Sequence, residues 1–95
     1  MVKTKDIEID YNGKPEKVVL KELSYGELME LIDDVMVVDS GMNYKVKSIG
    51  DFMLKVTQRS IDKAPFPNTI DEIKKLDKNL GQMLFRESIE LNPLG

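Results

Sequence analysis

The stretch IEIDYNGKPEKVVLKELSYGE, Ile7 to Glu27, decides the fold class, because the spacing of its apolar residues changes from two to that of a helix. Ile7-Glu8-Ile9-Asp10-Tyr11 puts apolar side chains on one face of an extended chain, which predicts a strand. Asn12-Gly13 follows as a favoured hairpin turn pair. Between Lys17 and Leu23, the β-branched and apolar run Val18, Val19 and Leu20 predicts the return strand, with Pro15 at its start, where no ladder donor need be lost. Ser24-Tyr25-Gly26-Glu27 then matches a capping box and predicts a helix start.

Downstream, helical signals dominate. At about 100° per residue, Leu31, Val35, Leu28, Ile32, Tyr25, Met36 and Met29 form one broad face, opposite Glu27, Glu30, Asp33 and Asp34. Val37 and Val38 break the pattern, so the helix is expected to end near them. Asp39-Ser40-Gly41-Met42-Asn43 has turn composition, and Tyr44-Lys45-Val46 reads as a short extended piece. Ser48 and Asp51 resemble a second cap pair, before an apolar arc of Phe52, Val56, Ile49, Met53, Ile61 and Leu54, with Lys55, Gln58, Arg59 and Asp62 on the polar side.

Ala64-Pro65-Phe66-Pro67 must stop that helix, since proline lacks an amide donor and pushes its predecessor toward extended backbone. Thr69-Ile70-Asp71-Glu72 restarts a short helix with Ile73 and Leu76, and Asp77 is placed to cap a last one. In that helix Leu80, Leu91, Leu84, Ser88, Gly81, Phe85 and Ile89 sweep about 180°, and Asn92-Pro93 ends it. The expected architecture is α+β: one domain over residues 1–95, with a hairpin at about 5–23 and a bundle of three to four helices at about 24–92.

Composition narrows the chemistry. The chain has 95 residues, a formal net charge of -3, and neither cysteine nor histidine. Disulfides, thiolate nucleophiles and histidine acid/base catalysis are therefore excluded. Asp33, Asp34 and Asp39 lack the alternating ligands of a calcium loop, and Ser24, Ser48, Ser60 and Ser88 lack a nucleophile elbow. The glycines match no phosphate-binding loop. These absences lead to the expectation of a non-enzyme without cofactor or metal.

No apolar run approaches the roughly 20 residues of a membrane span, and the start does not resemble a signal peptide, so a cytoplasmic location is the default. Lys74, Lys75 and Lys78, with Lys45 and Lys47, could touch phosphate if the fold grouped them, although the acidic balance disfavours nucleic acid.

The apolar faces are wider than the stripe of about 100° that one core contact requires. Either the central helices are packed on two sides, or the surplus is a partner surface lined by adaptable methionines. Candidates for the second role are Met29, Met36, Phe52, Met53, Met83, Phe85 and Ile89. Met83 sits off the main arc of its helix and is the hardest to assign to a core. The same faces could equally meet another copy of the chain.

The order of these features resembles the phage tail assembly chaperones. Their strand pair leading into a helix corresponds to Glu16 to Met36. Their closing pattern of a capped short helix, a leucine and a last helix finishing at asparagine is similar to Pro67-Asn68-Thr69-Ile70-Asp71-Glu72-Ile73-Lys74-Lys75-Leu76, then Leu80, then Ile89-Glu90-Leu91-Asn92-Pro93. The resemblance implies a chaperone in the host cytoplasm that binds a helical tape-measure protein, keeps it soluble and helps recruit tail-tube subunits. Members of that family are sometimes extended by translational frameshifting. The segment from Asp39 to Lys47 departs from the pattern, and no partner surface is carried over to it from the family. The alternative reading is a small nucleic-acid-associated regulator built on a helix pair and the lysines.

Overall fold

At the Asn12-Gly13 turn both residues adopt left-handed backbone, with φ of 53° and 77°. Right-twisted strands need such a turn, and this pair reaches it at little steric cost. The computed structural model describes residues 2–93. In it the turn joins β1 (Thr4–Tyr11) to β2 (Lys14–Lys21) in antiparallel register, from Thr4 opposite Lys21 to Tyr11 opposite Lys14. Alternation turns Ile7, Ile9, Tyr11, Val18 and Leu20 to one face and Asp6, Glu8 and Lys17 to the other, where Lys17 meets Asp6 at 3.5 Å.

Helix α1 (Tyr25–Val35) starts on the expected capping box: the Glu27 amide donates to Ser24 Oγ at 3.2 Å, and the Ser24 amide donates to Glu27 Oε1 at 3.0 Å. Strands β3 (Met36–Val38) and β4 (Tyr44–Val46) then pair antiparallel as a second hairpin. Helix α2 (Ile49–Ser60) follows, capped by Ser48, whose Oγ accepts from the Asp51 amide at 3.4 Å. Thr69 and Asp77 cap α3 (Ile70–Lys74) and α4 (Lys78–Leu91). The fold is α+β, an N-terminal hairpin followed by four helices.

Within the helical part, about 24–92, lie three strands: the extended piece expected at Tyr44–Val46 is β4, while β3 and β5 were not expected. Ile61 and Asp62 do not continue α2; they belong to β5 (Ile61–Lys63), which pairs with Val19 and Leu20 of β2 and completes a sheet of order β1-β2-β5. Ile61 fits both the helical arc and the buried face of the sheet, so periodicity could not separate the two. Asn68 helps end α2: its Nδ2 donates to the carbonyls of Gln58 (3.0 Å) and Ile61 (3.3 Å), capping groups that a helix end leaves open.

Two apolar clusters result. The sheet cluster joins Ile9, Val18, Leu20, Ile61, Phe66, Ile73 and Leu84; the second joins Leu23, Leu31, Val35 and Val56. Helix α4 serves both, with Leu80, Met83 and Leu91 against the first and Phe85 and Ile89 against the second. Leu54 and Phe52 divide α2 in the same way. The width of these two helices is thus used within the fold, as packing on two sides requires.

Buried Asn92 fastens the end of α4 to the rest. Its Oδ1 accepts from the Leu23 amide at 2.7 Å, while its Nδ2 donates to the Lys21 carbonyl at 3.0 Å and to Ser60 Oγ at 3.2 Å. One side chain therefore ties α4 to the end of α2 and to the segment between β2 and α1.

Candidate functional site

The seven expected partner residues are all half-buried and do not converge on one surface. Phe52 and Phe85 meet edge to face, with ring centroids 5.9 Å apart, and pack with Ile89 against the second cluster. Met83, least explained by its helical position, lies against the sheet cluster. Met53 and Phe85 line a shallow groove of about 130 Å³ with Ile73 and Gly81. Met29 and Met36 line a larger recess of about 330 Å³, and the structure adds Ile32 and Tyr44 to them.

That recess is built by α1 and the β3–β4 hairpin. Leu31 and Val35 anchor α1 by burying one side, which leaves Met29 and Ile32 on the flank. Tyr25, grouped with the buried face by periodicity, is 78% exposed because it stands at the first turn of α1. Ile49 is 74% exposed for the same reason at the start of α2. In the hairpin Met36 faces Val46 and Val38 faces Tyr44, so alternation puts all four on one face and Val37 with Lys45 on the other. On the apolar face Val38 and Tyr44 remain 52% and 72% exposed.

The hairpin is held in place despite its short strands. Asp39 Oδ1 accepts from the amides of Gly41 (2.9 Å) and Asn43 (3.0 Å), the Asp39 amide donates to the Asn43 carbonyl (2.9 Å), and the Lys47 amide donates to the Val35 carbonyl (2.9 Å). The first two bonds organise the turn, and the last ties it back to α1. Asp39, considered above as a cation ligand, is thus engaged by backbone amides.

Carboxylates on α1 differ in their surroundings. Asp34 is hydrogen-bonded to Arg59, which holds its carboxyl below the usual range, with Lys55 and Lys47 adding to the effect. Glu27 is lowered chiefly by the Ser24 amide, with Lys21 3.6 Å away. Glu30 and Asp33 have no ion-pair partner within 4.0 Å among the described residues. At the sheet, Lys5 is raised by its hydrogen bond to Glu87 of α4.

The lysines fall into two sets on separate elements, Lys45 and Lys47 at β4 and Lys74, Lys75 and Lys78 around the α3–α4 junction, where Lys75 meets Glu72 at 3.4 Å. Among the described residues no group of three or more carboxylates is placed to hold a metal ion. None of the described helices is long and apolar enough to cross a membrane.

What this arrangement can do is bind an apolar surface. Sequence reasoning found Met29 and Met36 but missed Tyr44, whose role depends on the pairing of β3 with β4; Ile32 had been placed only on the helix face. The segment from Asp39 to Lys47, to which the family pattern carries over no surface, supplies one wall of the recess through Tyr44. No family model matches the sequence, and no curated protein or solved structure matches it either.

Proposed function

We propose that this protein is a non-enzymatic binding protein of the tail-assembly-chaperone kind, which takes an apolar face of a helical tape-measure protein into the recess of Met29, Ile32, Met36 and Tyr44 and helps recruit tail-tube subunits. The observation that carries the binding part is the exposure of Tyr44, which lines that recess, and of Val38 opposite it, on a hairpin held by its turn and by α1. Covering apolar side chains that water now touches supplies the driving force, at about 25 cal/mol per Å² buried. Flexible methionines in the floor let one surface adapt to different helical ligands. The resemblance of Pro67 to Leu76 and of Ile89 to Pro93 to the chaperone pattern supports the choice of partner.

Co-expression with a tape-measure protein tests the reading. The expected result is a soluble complex that survives gel filtration; a tape-measure protein that stays as insoluble as before, with no complex, overturns it.

A further inference from the structure

Along α1, beside half-buried Leu28 on the second cluster, four apolar residues keep helical spacing: Tyr25, Met29, Ile32 and, just past the helix, Met36 stand at i, i+4, i+7 and i+11. This ridge runs about 16 Å, the length of three helical turns. On one side it is walled by Tyr44 of β4. On the side away from the core, rotation about the helix axis reaches Asp33 first, at about 40° from Met29, and then Glu30 at about 100°. Glu27 and Asp34 lie farther round and have Lys21 and Arg59 as partners; Lys47 and Lys55 act on Asp34 as well. Lys45 is on the reverse face of the hairpin. The ridge therefore has an apolar floor, an aromatic wall and an acidic rim, Asp33 and Glu30, with no ion-pair partner among the described residues.

We infer that the partner segment is an amphipathic helix whose apolar stripe, about three turns long, is flanked on one side by Lys or Arg to meet Asp33 and Glu30. This rests on the binding role proposed above and adds the partner's charge and orientation. An acidic-flanked helix would set like charges against that rim, whereas a basic flank gains pairs and faster encounter.

Two synthetic helices of about five turns test it, identical in their leucine stripe and differing only in Lys or Glu along one flank. Titrated against the full chain by calorimetry at low salt, the Lys-flanked peptide is expected to bind on the order of tenfold tighter, a margin that shrinks as salt rises. The double variant Asp33→Lys, Glu30→Lys changes two exposed residues and is expected to reverse the preference, with circular dichroism confirming that the fold is kept. Equal binding of the two peptides to the unaltered chain overturns the inferred charge but leaves the binding role standing. If neither peptide binds, the recess is not a docking site and both readings fall. A dimer seen by sedimentation and dispersed by Tyr44→Ala would make a second copy the occupant, which overturns the inference.

Discussion

Where α4 crosses the three-stranded sheet, apolar side chains face inward: Leu20 and Leu84 have no exposed surface, Tyr11 packs tilted against Phe66 with ring centroids 5.6 Å apart, and polar side chains take the outer face of the hairpin. Along α1 and the second hairpin, residues of the same types stay open, with Tyr25, Val38, Met42 and Tyr44 each more than half exposed. The difference comes from the layers behind them. The first hairpin has α4 packed on its inner face, whereas the apolar face of β3–β4 is covered only in part among the described residues: Met36 packs against the second cluster, and Val38 and Tyr44 stay exposed. A short hairpin with an open apolar face gains little from its own packing, and this one depends on Asp39 and on the Lys47–Val35 bond for its position.

This contrast can be broken from the closed end. Leu84→Ala removes a fully buried side chain from the sheet cluster and leaves a cavity between α4 and the sheet. A loss of about 3 kcal/mol is expected from urea unfolding, a large part of the stability of a domain this small. A cost below about 1 kcal/mol would mean that the sheet cluster is no better packed than the open end.

Asn92→Ala acts at the junction between the two. The Leu23 amide, the Lys21 carbonyl and the Ser60 hydroxyl would each lose a partner, and unfolding free energy is expected to drop by about 2 kcal/mol. Amide exchange at Leu23 should speed up as well, because that amide donates to Asn92 directly. If exchange there is unchanged, Asn92 is not what holds the β2–α1 segment to α4.

How much of this was legible follows the same division. The first hairpin and the caps Ser24, Ser48, Thr69 and Asp77 rest on neighbours in sequence, and residue types at fixed offsets reveal them. Strand β5 was hidden because Ile61 fits a helix and a sheet equally well. The Asn92 contacts to Lys21 and Leu23 join residues about seventy positions apart, which no local pattern encodes. Val37-Val38, the turn and Tyr44-Val46 were each readable singly, but not the pairing that makes one apolar face of Met36, Val38, Tyr44 and Val46. The candidate site was therefore half visible: Met29 within α1 and Met36 just past it keep helical spacing, and the wall arises from strand register.

The smallest change in stability separates a surface left open by poor packing from one kept open for a partner. Tyr44 is 72% exposed, so Tyr44→Ala removes little buried area and should change unfolding free energy by no more than about 0.5 kcal/mol. In a complex the same ring is covered, and burying an aromatic side chain at an interface centre is worth about 2 kcal/mol or more. The expected result is a variant as stable as the parent that binds the Lys-flanked peptide at least tenfold more weakly. Undiminished binding would remove Tyr44 from the recess wall. A clear loss of stability would instead show that the ring holds the hairpin together, so that the open end, like the closed one, uses its apolar residues for folding.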